Sequence, residues 1–351
     1  MKIATIVGAR PQIIKSAPVS RAFRECGHRE FLIHTGQHYD YLMSKVFFEE
    51  LGIHEPAINL GVGSGSHGQQ TGQMLLGLEE VIKKQKPDWV LVYGDTNSTL
   101  AGALAAAKLH VPVAHVEAGL RSFNRSMPEE INRVLTDHIS DLLFCPTQTS
   151  VENLRNEGIN KGVHLVGDVM YDSVLHNIKL AEKHSDILEK LKIKNKSYAL
   201  ATLHRAENTD EPRRLKPIFN AFGQISQNGL PVIIPLHPRT RQSLKSSKLS
   251  IIAPVSYLDM LVLEKNAQVI LTDSGGVQKE AYWFGVPCVT LRDETEWLET
   301  VESGWNVLAG SNYDRIINAV ENAHPGQQVQ GAYGNGRAAE QIANLISSSL
   351  P

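Results

Sequence analysis

Cysteine is scarce in this chain: only Cys26, Cys145 and Cys288 occur, and no two of them have the C-x-x-C spacing of a zinc site or a redox pair. They read as small apolar residues of a protein kept in a reducing cytoplasm. Net charge is nearly absent, with 35 Lys and Arg against 37 Asp and Glu. No global field therefore draws the chain to nucleic acid or to an anionic membrane, and any anionic ligand must be met by local cations. No uncharged run reaches membrane-spanning length, since even the alanine-rich stretch after Leu100 carries Lys108 and His110. The apolar start is broken by Arg10 and Pro11 before a signal-peptide core is complete, so it reads as a first strand. Neither H-E-x-x-H nor comparable ligand spacing is present, and no structural metal is expected.

What the chain does have is alternation. Short apolar runs at 3–7, 30–34, 89–93, 113–117, 142–145 and 164–166, then at 198–203, 232–236, 251–253, 269–271 and 289–291, are mostly separated by helical patterns. That predicts an α/β protein with parallel sheets covered by helices. At 351 residues two domains are expected. The expected division is an N-terminal Rossmann-like domain over 1–170, a connecting helix and hinge over 171–197, and a C-terminal Rossmann-like domain over 198–351 whose last helix is free to pack back on the first. Ligands of such sheets bind beyond the carboxyl ends of the strands, which makes residues just after strands the candidates.

The first strand runs into Gly8-Ala-Arg-Pro11, where Arg10, Lys15 and a helix start can converge on an anion or serve as solvated surface cations. Asp95, in Gly-Asp-Thr-Asn-Ser-Thr at 94–99, ends another strand as either a helix cap or a site carboxylate. Glu117 ends the next strand, and Glu129 and Glu130 follow Pro128 at a helix start that favours acids in any case. Acids gathered after consecutive strands suit proton transfer better than stability. In the second half two strands each end in a histidine with an arginine close by, His204-Arg205 and His237-Pro-Arg239, which suggests a phosphate-facing wall. Leu271-Thr-Asp-Ser-Gly-Gly-Val-Gln-Lys-Glu280 reads as strand, glycine turn and helix. There Ser274, Gly275 and Gly276 would offer a hydroxyl and open backbone amides to a diphosphate, unless the turn is an ordinary βα connection. Glu280 would accept ribose hydroxyls, and Arg292 follows the next strand on the same edge.

Taken together, Gly8-Ala-Arg-Pro11, Tyr93-Gly-Asp-Thr96, His115-Val-Glu-Ala-Gly-Leu-Arg121, Pro128-Glu-Glu-Ile-Asn-Arg133, His204-Arg205 and Asp273-Ser-Gly-Gly276 resemble the non-hydrolysing UDP-N-acetylglucosamine 2-epimerases, relatives of the GT-B glycosyltransferases. The resemblance spans nearly the whole chain. It implies two Rossmann-like domains facing a cleft, and an isomerase that inverts C2 of a UDP-linked 2-acetamido sugar by eliminating UDP to a 2-acetamidoglucal and adding it back. No redox cofactor is implied. By the same resemblance Asp95, Glu117, Glu129 and His204 match catalytic positions, and Arg10, Lys15, His237, Ser274, Gly275, Gly276, Glu280 and Arg292 fall at or beside nucleotide-binding positions. A homodimer without membrane or nucleic-acid partners is also implied.

Within the family, Gln12, the run 204–210 and Thr295-Glu-Trp297 resemble the epimerases of UDP-2,3-diacetamido-2,3-dideoxyglucuronate, whereas the usual enzymes carry Gly-Thr-Arg-Pro-Glu and an arginine in place of Trp297. At the places of a second, activating UDP-sugar site this chain has Gln37-His-Tyr39 and Gln69-Gln-Thr71, departing from the arginine-bearing motifs. The competing functions are a GT-B glycosyltransferase, which needs an acceptor, and a nucleotide-sugar-binding regulator without turnover.

Overall fold

Parallel strands covered on both faces are buried along their whole length and mostly apolar, and the central strands obey this. All five residues of Trp89–Tyr93 and all four of Val113–Val116, Leu142–Cys145, Ala199–Thr202 and Val269–Thr272 are buried. The computed structural model describes residues 1–37, 52, 53, 55–236 and 249–349. They fall into two units, one of residues 1–175 with 331–351 and the other of residues 176–330.

The first unit holds a seven-stranded sheet of β1 (Lys2–Val7), β2 (Arg29–His34), β3 (Ile58–Asn59), β4 (Trp89–Tyr93), β5 (Val113–Val116), β6 (Leu142–Cys145) and β7 (Val163–Leu165), in the order β3-β2-β1-β4-β5-β6-β7. Every pairing is parallel. Helices α1 (Arg10–Glu25), α2 (His67–Gln85), α3 (Asn97–Lys108), α4 (Pro128–Ile139) and α5 (Gln148–Asn156) make the crossovers among the described residues. One face of the sheet is covered by the apolar sides of α2 and α3, with Met74, Leu78, Ala101 and Ala105 against Ala4, Ile6, Val90 and Val92. α6 (Val169–His184) follows β7.

The second unit repeats the plan with β8 (Ala199–Thr202), β9 (Val232–Pro235), β10 (Ser250–Ile252), β11 (Val269–Thr272), β12 (Cys288–Thr290) and β13 (Asn306–Leu308), all parallel, ordered β10-β9-β8-β11-β12-β13. Its helices include α7 (Ile187–Leu191), α8 (Ala206–Thr209), α9 (Pro212–Gln227), α10 (Tyr257–Asn266), α11 (Gly275–Phe284), α12 (Leu298–Glu302) and α13 (Tyr313–Glu321). Phe219, Phe222 and Ile225 of α9 and Ile316 of α13 pack on one face of this sheet.

Two strands were not anticipated, β3 and β13. Residues 331–351 belong to the first unit, where α14 (Ala338–Ser348), the last helix that was free to pack back, buries Ala339, Ile342, Ala343 and Ile346 and packs on α1. In each sheet the strand order reverses once, between β1 and β4 and between β8 and β11. Such a reversal leaves a crevice at the carboxyl ends of the two strands, where the connections depart to opposite sides.

Candidate active site

At the first reversal the two strand ends are joined by one buried side chain. Gln12 Oε1 accepts from the amides of Gly8 (2.7 Å) and Ala9 (3.0 Å), while its Nε2 donates to Tyr93 O (2.8 Å) and Thr96 Oγ1 (3.0 Å). Gly8 has no room for a side chain, since a Cβ there would lie 2.0 Å from Ser98 Oγ. Arg10 opens α1 and is half-buried. One turn further on, Lys15 forms an ion pair with Glu117.

Glu117 and Asp95 stand just beyond the neighbouring strands β5 and β4, where Tyr93 pairs with Val116. They are close in space as well, because a Cβ on Gly94 would lie 3.3 Å from Glu117 Oε2 and 3.7 Å from Lys15 Nζ. Glu117 adopts φ 74°, a left-handed conformation that costs a side-chain-bearing residue roughly 1–3 kcal/mol and persists only where the surroundings impose it. Here the amides of Glu117 and Ala118 both donate to Phe144 O at 3.1 Å.

α4 lies along both strand ends. Its Arg133 pairs with Asp95 and, through Nη1, with Glu130 Oε2 at 3.0 Å. Asn132 Nδ2 donates to Asp95 O at 2.9 Å. The adjacent glutamates part company: Glu130 is buried and accepts from the amides of Ser122 (2.9 Å) and Phe123 (3.0 Å), whereas Glu129 is exposed in the first turn. In the last turn, buried Asp137 accepts from His115 Nδ1 (2.7 Å), Gly119 N (3.1 Å) and Arg121 Nη1 (2.7 Å). Burial alone would raise the pKa of Asp137, but the hydrogen bonds and charges of His115 and Arg121 outweigh it and hold the carboxyl below its ordinary value. His115 Nε2 lies 2.8 Å from Gly94 O.

At the second reversal Asp273 does the joining. Fully buried at the end of β11, it accepts from the amides of His204 (3.0 Å) and Arg205 (3.1 Å) and from Asn208 Nδ2 (3.1 Å), fixing the chain as it leaves β8. The His204 side chain itself is exposed. Ser274 precedes α11 without capping it by its own side chain, so its hydroxyl is not spent on the helix. A Cβ on Gly275 would stand 2.9 Å from Trp297 Nε1, whereas Gly276 is open. Trp297 is buried, and Lys279 Nζ sits 3.7 Å from the centre of its ring.

Glu280 is buried on α11 with Tyr257 Oη at 3.5 Å. Arg292 is buried in a two-pronged pair with Glu296 (2.9 and 3.1 Å), so both prongs already serve a carboxylate of its own unit. His237, His38 and Tyr39 lie outside the described residues. Among the described residues no group of three or more His, Cys, Asp or Glu is arranged to hold a metal ion, and no helix is long and apolar enough to cross a membrane.

In the first unit, then, Arg10, Lys15, Asp95 and Glu117 gather around the β1/β4/β5 ends, with Glu129 at the start of the helix that holds them. In the second, His204, Ser274, Gly275 and Gly276 gather at the β8/β11 ends. Sequence reasoning noted Gln12 only for its branch of the family and assigned no role to His115, Arg133, Asp137, Asp273 or Glu296. One of them carried a signal: an acid in the last turn of a helix opposes the macrodipole, so Asp137 required cationic partners.

The model of the UDP-N-acetylglucosamine 2-epimerase family matches residues 22–347. A UDP-N-acetylglucosamine 2-epimerase homolog of Methanococcus maripaludis is 56% identical over 358 residues, covering 99% of both chains. The UDP-2,3-diacetamido-2,3-dideoxy-D-glucuronate 2-epimerase of Pseudomonas aeruginosa is 51% identical, again over 99% of both. Among solved structures, the UDP-GlcNAc 2-epimerase of Methanocaldococcus jannaschii in complex with UDP-GlcNAc and UDP is similar with a TM-score of 0.93 at 48% identity, over 99% of this chain and 100% of that one. With these likenesses extending over nearly the whole chain, the chain belongs to the UDP-N-acetylglucosamine 2-epimerase family, built of two Rossmann-like units of the GT-B type.

Proposed function

We propose that the protein is an isomerase that reversibly inverts C2 of a UDP-linked 2-acetamido sugar, interconverting sugars of the UDP-N-acetylglucosamine and UDP-N-acetylmannosamine type. The observation that carries this reading is the pair of carboxylates, Asp95 and Glu117, held beyond adjacent strands with a cation on each.

A C2 proton beside the anomeric centre is weakly acidic, so its removal needs a positioned carboxylate and a leaving group whose charge is stabilised as it departs. In this reading Asp95, Glu117 and Glu129 supply the acid and base groups that take the proton from one face of the sugar and return one to the other. The C2–H electrons form the C1=C2 bond as the C1–O bond breaks, UDP leaves, and a 2-acetamidoglucal remains. Addition of UDP to C1 with protonation of C2 from the opposite face completes the inversion. His204 donates to the departing diphosphate. Ser274, Gly275 and Gly276 offer it the start of α11, and Arg10, Lys15, His237, Glu280 and Arg292 belong to the nucleotide grip, Arg292 by holding Glu296. No redox cofactor takes part. A cytoplasmic homodimer feeding polysaccharide synthesis completes the proposal.

The second sugar to be tested is the diacetamido-uronate, because the Pseudomonas relative bears that name and this chain has Trp297 where the usual enzymes carry arginine. The deciding experiment is NMR of each UDP-sugar with pure protein in heavy water and no acceptor. Epimer formation with deuterium at C2 is expected. A product that keeps its original C2 hydrogen would overturn the elimination route, and an unchanged sugar would overturn the reading as an epimerase.

A further inference from the structure

The buried groups behind Asp95 and Glu117 form a chain that reaches both. His115 bridges Asp137 and Gly94, with Nδ1 2.7 Å from Asp137 Oδ1 and Nε2 2.8 Å from Gly94 O. The ring is fully buried. The His115 ring and the Arg121 guanidinium flank Asp137, and Arg121 in turn grips Glu157 through Nε (2.7 Å) and Nη2 (2.6 Å).

Stability alone has no need for this charge row, since apolar side chains of equal volume commonly serve as well. What the row fixes is backbone. His115 holds the carbonyl just before Asp95, at a residue with φ 62°. Asp137 holds the amide of Gly119, two residues after Glu117, at φ 79°. We propose that Asp137, acting through the ring of His115, is a positioning residue that sets the separation and aim of Asp95 and Glu117. Neither Asp137 nor His115 touches substrate; the role rests on Asp95 and Glu117 being the working carboxylates, as proposed above.

The test compares His115→Gln, Asp137→Asn, the double variant and Glu157→Gln. His115→Gln leaves the Asp137–Arg121 pair intact and keeps a donor for only one of the two acceptors, so it is the variant expected to stay folded. His115→Gln and Asp137→Asn are each expected to lower kcat about tenfold per mole of folded enzyme with KM within about twofold, the signature of misaimed chemistry rather than lost binding. Because both act through one path, the double variant should be no slower than the slower single. Glu157→Gln should melt earlier with kcat unchanged. In parallel, hydrogen exchange without substrate should quicken at residues 94–97 in His115→Gln. Wild-type kcat in both singles, or a double variant slowed by the product of the two factors, would overturn the proposal. Should the wild type turn over neither UDP-sugar, the epimerase reading falls instead, and unchanged exchange at 94–97 would then reject the positioning role by itself.

Discussion

Arg133 holds two carboxylates at once, Asp95 with Nη2 and Glu130 with Nη1. Glu130 in turn pins the backbone at Ser122 and Phe123, so Asp95 is tied through one guanidinium to the loop that follows Glu117. Lysine keeps the charge but not the planar fork, and cannot make both contacts in this geometry. Arg133→Lys is therefore expected to lower kcat about tenfold or more, close to 1.4 kcal/mol of barrier, with little change in UDP affinity. Steady-state kinetics beside UDP calorimetry checks this; equal losses in both would mean that Arg133 binds nucleotide rather than aligning Asp95.

In the second unit Asp273 receives two backbone amides and the Asn208 side chain. Asparagine would turn an NH2 group towards donors and strand at least one of them, at about 1–3 kcal/mol for each buried donor left unmade. Asp273→Asn is expected to melt earlier and to bind UDP more weakly, because the chain carrying His204 and Arg205 leaves β8 along a different path. Wild-type UDP affinity in this variant would separate the β8 end from the nucleotide site.

How much of this was written in the sequence differs by element. The central strands were legible because burial on both faces demands an unbroken apolar run, as in Trp89–Tyr93. β3 was not, since two residues at a sheet edge show neither run nor alternation, and β13 escaped because Asn306 and a half-open Val307–Leu308 break the pattern. Asp95 and Glu117 were found because they follow strands directly. Which of Glu129 and Glu130 faces outward was hidden, as both suit a helix start and only the path of 122–123 decides it. His115 and Asp137 were missed for a different reason: their partners lie as far as 22 residues apart in the chain, and the contact exists only once β4, β5 and α4 are side by side.

The cysteines give a direct reading of packing. Cys145 and Cys288 are buried, and burial pushes both thiols up to about 12, so neither offers thiolate near neutral pH. Cys26 is exposed at the end of α1. A thiol reagent at pH 8 is expected to label Cys26 alone in the native protein and all three cysteines in denaturant. Native labelling of Cys145, which follows Phe144 directly, would show that β6 opens beside the Glu117 turn.

Asp172 gives the fold a pH dependence whose sign can be worked out. It is buried, and Oδ2 accepts from Ala339 N at 2.8 Å where α14 begins. Burial first, and then the neighbouring Asp168, push its pKa up to about 6, against the pull of the Ala338 and Ala339 amides and of Arg21. The unfolded chain gives up this proton near the ordinary value of 3.8, so between the two values the folded protein holds more protons and loses stability as pH rises. The stabilising contribution is complete below the unfolded value and gone above about 6, leaving the ionised carboxyl as a cost at neutral pH. Asp172→Asn keeps an acceptor for Ala339 and cannot ionise, so at pH 7 it is expected to be about 1–3 kcal/mol more stable than the wild type. That advantage should shrink to about half by pH 5 and nearly vanish at pH 4. Denaturant melts of both proteins at the three pH values decide it: an advantage that stays constant with pH would place the effect in packing rather than in the buried charge, and a less stable variant at pH 7 would show that the α14 contact needs the full carboxylate.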